Sequence, residues 1–297
     1  MKQDKKMITI FLTPAVLAFC TMFLYPVIRT IIMSLFSVTN VTDDVSTWQF
    51  VGFENFLEIM GNATFQRSML NILRIWLVGG LVTMSLSLLF AVLLTNGVRG
   101  KSFFRAVIYL PNVVSAVALA TMWSQYVFSS KYGLFNSIIK FFGGSAVNWM
   151  STDMKFWSML IAFIFGSVGY YMLIFLSGIE RIPAELYEAA TIDGASKLDK
   201  FHFITLPLLK SVFKTNLTFW TINTITFFVW SKMFSPVDTE MSTMSPIVYM
   251  MSLVFGAKTT AQTFAGRGAA VGVLLAVCVL LTFTIFNALI KDDDIEL

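Results

Sequence analysis

The sequence predicts an all-α membrane protein in which six transmembrane helices form a single domain over residues 1–297. Three observations lead to this class. Hydrophobic residues make up 57% of the chain and charged residues 13%, whereas soluble domains contain about 45–50% and about 25%. The mean hydropathy is +0.76, and six apolar runs are each long enough to cross a bilayer. This composition excludes a disordered chain, a basic nucleic-acid-binding domain and most soluble enzymes.

Each predicted span is an apolar run of at least about 20 residues, which is the length that a bilayer requires. The first run contains Pro14 and Pro26, and the fifth contains Lys214 and Lys232. Membrane helices tolerate such residues when neighbouring helices or water satisfy the polar groups. The six runs cover residues 8–36, 70–95, 103–128, 154–179, 211–234 and 268–290.

The distribution of lysine and arginine along the chain predicts its orientation in the membrane. Five basic residues lie inside the spans, and eleven fall in the two termini and in the segments after the second and fourth spans, when Arg105 at the start of the third run is counted with the segment before it. Only five fall in the alternate segments, which are longer in total. Because basic residues concentrate on the cytoplasmic side, we expect a multi-pass plasma (inner) membrane protein with both termini in the cytoplasm.

The sequence offers few residues that could catalyse a reaction or bind a metal. Cys20 and Cys278 lie in apolar runs, His202 is the only histidine, and no span has an Asp or Glu in its interior. An intramembrane enzyme or a proton-coupled carrier needs such groups. The Gly-Lys-Ser sequence at 100–102 lacks the earlier glycine of a phosphate-binding loop. We therefore expect no catalytic residue, no metal site and no cofactor bound by this chain.

The cytoplasmic segment 181–210 is predicted to be folded. Pro183 suits the first turn of a helix, the residues after it are mostly good helix formers, and Gly194 is a typical helix stop. A second short helix is expected over about residues 196–204, and Pro207 then starts the next span. Two short helices set at an angle suit a docking element. On the residues alone, an amphipathic connecting loop is an equal alternative.

The same segment resembles the EAA motif of ABC importer permeases, whose pattern is E-A-A-x3-G-x9-I-x-L-P. Asp193 and Ala195 also match the common D-G-A form of that motif. Other segments are similar to maltose-type sugar permeases, namely residues 52–56, 103–111, 133–136 and 268–272, whereas residues 234–238 lack the Gly-Gly-Pro turn that is frequent there. The residues that match the pattern itself are Glu188, Ala189, Ala190, Gly194, Ile204, Leu206 and Pro207.

The resemblance implies a type I, methionine-permease-like fold and a permease subunit of an ATP-driven importer of a sugar, in particular an oligosaccharide. It implies a second permease in a heterodimer, two ATPase subunits that bind ATP and Mg²⁺, and an extracytoplasmic solute-binding protein. Glu188 would be the charged contact to an ATPase subunit, and Gly194 would permit the angle between the two short helices. A permease for another solute, such as an amino acid, a peptide or phosphate, is the alternative.

Aromatic and polar residues inside the spans are candidates for the substrate path, because sugars bind through both kinds of group. Polar groups in spans usually face the bundle interior or a water-filled path. The resemblance places sugar-lining positions near Asn112, Tyr170, Thr224 and Val229. Two alternatives remain, namely that these aromatic residues face lipid and that only the partner permease contacts the sugar. All candidates together are Asn112, Ser115, Tyr170, Trp220, Asn223, Thr224 and Val229.

Overall fold

A computed structural model of the protein describes residues 5–95, 97–235, 240–257 and 262–290. The chain divides into two compact units, Met1–Gln66 with Tyr249–Val277 and Arg67–Val248 with Cys278–Leu297. The single domain expected from the sequence stays a prediction.

The described chain is mostly helical. Its only strands are the antiparallel pair β1 (Phe36–Ser37) and β2 (Gln49–Phe50), with Phe36 opposite Phe50. Four π-helical turns, Cys20–Leu24, Ile75–Gly79, Trp123–Val127 and Phe201–Thr205, and a 3₁₀ turn, Val45–Thr47, complete the elements. The helices are α1 (Lys5–Phe19), α2 (Tyr25–Ser34), α3 (Glu54–Gly61), α4 (Ala63–Arg74), α5 (Gly80–Thr95), α6 (Lys101–Val113), α7 (Ala116–Met122), α8 (Leu134–Phe141), α9 (Lys155–Ile179), α10 (Ala184–Ile192), α11 (Lys197–Lys200), α12 (Leu206–Leu208), α13 (Lys210–Ile225), α14 (Val229–Phe234), α15 (Pro246–Phe255) and α16 (Ala265–Leu289).

Four of the predicted spans are continuous helices of sufficient length and hydropathy. They are Lys6–Ser34, Ala63–Thr95, Lys155–Ile179 and Ala265–Leu289, which match the first, second, fourth and sixth predicted runs. Lys101–Val113 with Ala116–Val127 makes a fifth if the bent pair is counted as one span. The described residues therefore give four or five candidate spans by length and composition, and the count of six stays a prediction.

The third predicted run is a helix pair that bends by 96°. Val114 and Ser115 take extended conformations between α6 and α7, with ψ of 139° and 133°. Pro111 lacks an N–H group and therefore removes one hydrogen bond from the last turn of α6. This break cannot be predicted from mean hydropathy, because that value depends only on the composition of the run.

The fifth predicted run is not one continuous helix, which corrects the expectation for residues 211–234. The run ends as a helix at Ile225 and resumes only at Val229. The Thr226 hydroxyl bonds back to the carbonyl oxygen of Ile222 at 2.8 Å, and such back-bonding bends helices. α13 with 16 residues and α14 with six are each too short to span a bilayer alone.

In the larger unit, α9 packs along α5 and α6, and a glycine allows the closest approach. A Cβ atom on Gly169 would collide with the carbonyl oxygen of Ile108 and lie 2.7 Å from Cα of Tyr109. Small residues permit such backbone contact between membrane helices. On α5, the Ser87 hydroxyl donates to the carbonyl oxygen of Val168 at 2.8 Å. α9 is therefore the central helix of this unit.

Trp220 lies in the aromatic core of the same unit. Its side chain is fully buried, and its indole N–H donates to the carbonyl oxygen of Trp76 at 3.0 Å. The ring centroids of Phe163 and Tyr171 lie 5.3 and 5.7 Å from the Trp220 ring. A Cβ atom on Gly80 would lie 2.6 Å from the indole nitrogen. The indole thus fixes α13 against the start of α5.

In the smaller unit, Asn55 connects α3 to the last residue of α2 and to β1. Its amide group donates to the carbonyl oxygens of Ser34 and Phe36, both at 2.9 Å. Arg267, near the start of α16, forms a 2.5 Å ion pair with Glu58 of α3. These contacts hold α3 and the start of α16 in place.

In the larger unit, an ion pair connects the start of α9 to the segment that follows α14. Lys155 Nζ lies 2.6 Å from Glu240 Oε2, and the Lys155 side chain is 12% exposed. The Ser235 hydroxyl donates to the same carboxylate oxygen at 3.0 Å. Loss of the cation would leave a poorly solvated carboxylate, so this pair matters more than an exposed pair.

Replacing Lys155 by methionine is expected to lower the free energy of unfolding by about 2–3 kcal/mol, because Glu240 loses its counter-ion. The matched control is Lys101→Met, which breaks the exposed Lys101–Glu180 pair (2.7 Å, 39% and 40% exposed) and should cost at most about 1 kcal/mol. Unfolding of purified protein in detergent, followed by tryptophan fluorescence, measures both losses. Equal losses would contradict burial as the deciding factor.

Candidate functional site

The segment predicted to dock contains the first of its two short helices where expected. Pro183 immediately precedes α10 in an extended conformation, with φ −56° and ψ 133°. Gly194 ends the helix with φ +80°, a left-handed conformation that favours glycine. The N–H groups of Gly194 and Ala195 donate to the carbonyl oxygens of Thr191 (3.1 Å) and Ala190 (2.8 Å). This pattern is a Schellman C-cap, which fixes the direction of the chain after α10.

The second short helix, α11, begins with a capping box. The Ser196 hydroxyl accepts from the N–H of Asp199 at 3.2 Å, and the Asp199 carboxylate accepts from the N–H of Ser196 at 2.9 Å. These hydrogen bonds lower the pKa of the exposed Asp199 carboxyl below its usual value. The helix continues through the π-helical turn Phe201–Thr205 into α12. The expected helix over 196–204 is therefore present but not uniformly α-helical.

Two side-chain contacts hold α10 against the residues that follow it. The Tyr187 hydroxyl lies 2.9 Å from the Thr205 hydroxyl, and Lys200 Nζ donates to the Thr191 hydroxyl at 2.6 Å. Together with the Schellman cap, these contacts set the angle between the two short helices. The segment is a folded unit and not a plain connecting loop.

The outer surface of this folded unit carries exposed charged and apolar side chains. Glu188, Ala189 and Asp193 are exposed, as predicted for a docking surface, and Gly194 and Pro207 are exposed as well. Ala190, Ile204 and Leu206 are half-buried. Two strongly exposed apolar side chains, Leu198 and Phe203, also lie on this surface and were not predicted. The sequence does contain a signal for them, because large apolar residues in a charged segment between spans are unusual unless they are covered.

An ion pair connects Glu180, just before this segment, to Lys101 at the start of α6. Lys101 Nζ donates to Glu180 Oε1 at 2.7 Å. This hydrogen bond is the main reason why the pKa of the Glu180 carboxyl lies below its usual value. A lowered carboxyl pKa means that the pair stabilises the folded chain at neutral pH. The pair loses that contribution as the pH falls through the lowered pKa.

A cavity of about 440 Å³ lies between α6, α9 and α13 in the larger unit. Tyr170 lines it, and its ring centroid lies 6.2 Å from that of Phe219. The cavity has a mixed lining of rings, hydroxyl groups and one guanidinium group, the kinds of group that bind sugars. The polar residues of the lining that the sequence analysis missed are Tyr109, Ser177, Arg181, Ser211 and Thr215.

Of the seven predicted path residues, Tyr170 is the one that lines this cavity. Asn112 and Ser115 are exposed, and the Asn112 amide donates to the carbonyl oxygen of Gly166 at 3.4 Å. The exposed Asn223 amide donates to the Tyr171 hydroxyl at 2.9 Å. The other three are Thr224 and Trp220, which are fully buried, and Val229, which is half-buried.

The burial of Trp220 and Thr224 bears directly on their predicted role. Trp220 exposes no part of its indole ring in this conformation. The Thr224 hydroxyl is also enclosed and has no hydrogen-bond partner among the described residues. Their place in a solute path stays a prediction, as does that of Asn112, Ser115, Asn223 and Val229.

Long apolar helices, the capped folded unit α10–α12 and a cavity lined by tyrosine rings and hydroxyl groups fit a membrane component of a transport system. A match over residues 83–292 shows the family: the chain belongs to the binding-protein-dependent transport system inner membrane components. The predicted resemblance to importer permeases is confirmed. This family consists of transport components rather than enzymes.

Several curated relatives are permeases named for sugar uptake. The arabinooligosaccharides transport system permease protein AraP of Bacillus subtilis is 31% identical over 280 residues, covering 91% of this chain and 84% of the relative. The trehalose/maltose transport system permease protein MalF of Thermococcus litoralis is 35% identical over 180 residues. That alignment covers 60% of this chain and 61% of the relative.

A solved structure shares the fold over nearly the whole chain. It is a bacterial ABC transporter involved in the import of the acidic polysaccharide alginate. The TM-score is 0.82 with 19% identity, and the match covers 99% of this chain and 97% of the other. The type I importer permease fold expected from the motif is therefore confirmed.

Proposed function

We propose that this chain is the permease subunit of an ATP-driven importer that moves a sugar, specifically an oligosaccharide, across the plasma membrane. Its relatives AraP and MalF are named for arabinooligosaccharide and trehalose/maltose transport. In this proposal the chain crosses the membrane six times, with α13 and α14 together forming the broken fifth span. Both termini lie in the cytoplasm, as the distribution of basic residues favours.

The observation that carries the proposal is the folded unit α10–α12 with its exposed surface. Glu188 and Asp193 supply negative charge, and Ile192, Leu198 and Phe203 supply apolar area. Such a surface fits a cleft that is apolar in its centre and basic at its edge. The proposed occupant is an ATPase subunit, which would bind ATP and Mg²⁺. A second permease in the membrane and a second ATPase subunit on the cytoplasmic side complete the complex.

The internal contacts of the docking unit suit it to transmit movement. Its helices are joined by the Gly194 cap, the Tyr187–Thr205 contact and the Lys200–Thr191 hydrogen bond. A unit so connected moves as one body when its partner moves. We infer that closure of the ATPase pair displaces it and turns the spans that follow, so that the solute site opens alternately to the two sides.

The cavity around Tyr170 is the proposed solute path on the cytoplasmic side of this chain. Its tyrosine rings can stack on the apolar face of a pyranose, and its hydroxyl groups can exchange hydrogen bonds with the sugar edge. An extracytoplasmic binding protein would deliver the solute from the other side. An amino acid, peptide or phosphate importer is the second candidate, since the docking unit would serve it equally. The names of the relatives favour the sugar.

The experiment that tests the function is purification of a tagged copy in mild detergent, followed by identification of the proteins that accompany it. A second permease and a P-loop ATPase are expected. The purified complex is then placed in vesicles with its binding protein, and ATP hydrolysis is measured with oligosaccharides, amino acids, peptides and phosphate in turn. Stimulation by an oligosaccharide alone supports the proposal. Stimulation by one of the other solutes supports the second candidate, and purification without an ATPase contradicts both.

Replacing Tyr170 by alanine is expected to lower the transport rate up to about tenfold, the effect of losing roughly 1.4 kcal/mol of ring contact with the solute. The complex should still assemble, because Tyr170 is only half-buried. Uptake into vesicles and co-purification of the ATPase measure the two effects separately. The control is Tyr132→Ala, an exposed tyrosine outside the cavity. Loss of assembly in the Tyr170 variant would identify that residue as a packing residue.

A further inference from the structure

Among the described residues, helix α8 is attached to the larger unit through the side that carries Phe135 and Asn136. The Phe135 ring lies 5.4–5.7 Å, centroid to centroid, from the rings of Phe128, Trp123 and Trp149. The buried Asn136 amide oxygen accepts from the N–H of Val147 at 3.0 Å. It also accepts from the Trp149 indole at 3.1 Å. This anchored side holds the helix in a fixed orientation.

The opposite side of α8 is apolar and exposed. Phe141 and Phe142 are 85% and 81% exposed. Leu134 and Ile138 are exposed as well, and the spacing of residues 134, 138 and 141 puts them on one face of the helix. Four large apolar side chains close together in water would be costly. Some other medium therefore covers this face.

The surroundings of the helix indicate what that medium is. Tyr126, in the π-helical turn Trp123–Val127, and Tyr132, just before α8, are both strongly exposed. Tyrosine is enriched where the membrane meets water. Lys131 and Lys140 are exposed at the two ends of α8. The apolar face thus follows the second half of the bent candidate span, Ala116–Val127, and has a cation at each end, where a phospholipid phosphate would neutralise it.

We propose that α8 lies in the plane of the membrane surface, with Leu134, Ile138, Phe141 and Phe142 inserted among phospholipid chains and Lys131 and Lys140 at the headgroup phosphates. The helix is an interfacial anchor in addition to the spans. Helices of this kind bury their apolar face about 5–10 Å into the boundary between headgroups and chains. Because Phe135 and Asn136 hold α8 against the residues around it, the depth of α8 in the membrane also fixes the depth of those residues. The inference does not depend on which solute is transported.

Spin labelling of the assembled transporter tests the position of α8. In a chain with Cys20 and Cys278 replaced by alanine, a nitroxide is attached to Ile138→Cys, to Phe141→Cys and, as a matched control, to Ser145→Cys in the exposed segment after α8. The complex is placed in vesicles of phosphatidylcholine and phosphatidylglycerol. Power saturation is then measured with oxygen, which enters lipid, and with a water-soluble nickel complex. Spin-labelled phospholipids calibrate the depth.

Labels at 138 and 141 are expected to collide with oxygen and not with nickel, at a depth of about 5–10 Å below the phosphates. The label at 145 is expected to collide with nickel. Collision of the labels at 138 and 141 with nickel would place the face in water and overturn the proposal. Protection of those labels from both reagents would also overturn it, because a protein would then cover the face. All three positions are exposed, so the substitutions leave the core unchanged.

Discussion

Replacing Gly169 by alanine is expected to lower the free energy of unfolding by about 3 kcal/mol, the upper end of the usual cost of overpacking. The new Cβ atom would meet the carbonyl oxygen of Ile108 and the Cα of Tyr109. Both are backbone atoms, which cannot rotate away as a side chain can. α6 must therefore separate from α9, and the cavity between them, which Tyr109 and Tyr170 line, changes shape. We expect both a loss of stability and a loss of transport.

The matched control for Gly169 is Gly61→Ala, because Gly61 is also helical but no other side chain or backbone segment lies within 4 Å of the place that a Cβ atom would take. That substitution is expected to be neutral or to stabilise by up to about 1 kcal/mol, as alanine favours helices over glycine. Unfolding in detergent, followed by tryptophan fluorescence, compares the two variants with the original chain. A Gly169 variant as stable as the Gly61 variant would show that α6 and α9 separate without cost.

Replacing Glu188 by lysine is expected to leave the chain folded in the membrane and to abolish coupling to the ATPase. Glu188 is exposed, so its reversal disturbs no internal contact of the docking unit. At an interface, loss of a charge pair typically costs about 2–5 kcal/mol, which weakens ATPase binding at least roughly thirtyfold. Uptake should fall to the background level. ATP hydrolysis should no longer respond to the solute, since the ATPase is separated from the spans.

Co-purification of the ATPase with the Glu188→Lys variant, together with uptake in vesicles, measures this effect. Glu185→Lys is the matched control, since it makes the same charge change at an exposed position on the same helix. The control is expected to retain most of its bound ATPase. Normal uptake by the Glu188 variant at normal expression would contradict the docking role. Equal losses in the two variants would assign the effect to overall charge instead.

The docking unit could be predicted from the sequence because its signals are local. Gly194 needs no distant partner to take a left-handed conformation, and Ser196 caps a helix through a residue three positions later. The spacing from Glu188 to Pro207 was enough to indicate the family. Less could be predicted within the second helix, because the π-helical turn at Phe201–Thr205 depends on contacts such as that between Tyr187 and Thr205.

The breaks within spans and the lining of the cavity could not be predicted in the same way. A window of apolar residues has the same mean hydropathy whether or not the chain bends at Val114 or unwinds after Ile225. Trp220 illustrates the second difficulty. An indole ring can stack on a sugar or on other aromatic rings, and only the position of Phe163 and Tyr171 decides that it packs in the core. Tyr170, which precedes Tyr171 on α9, instead lines the cavity.

The π-helical turn Ile75–Gly79 also bears on how relatives should be aligned with this chain. A π-helical turn contains one residue more than the α-helical turn it replaces, and one residue rotates the following side chains by about 100°. A homologue with a regular helix at this point is one residue shorter, so the gap belongs inside the helix and not in a loop. With the gap elsewhere, every residue between turn and gap would be paired with a position on the wrong side of the homologous helix.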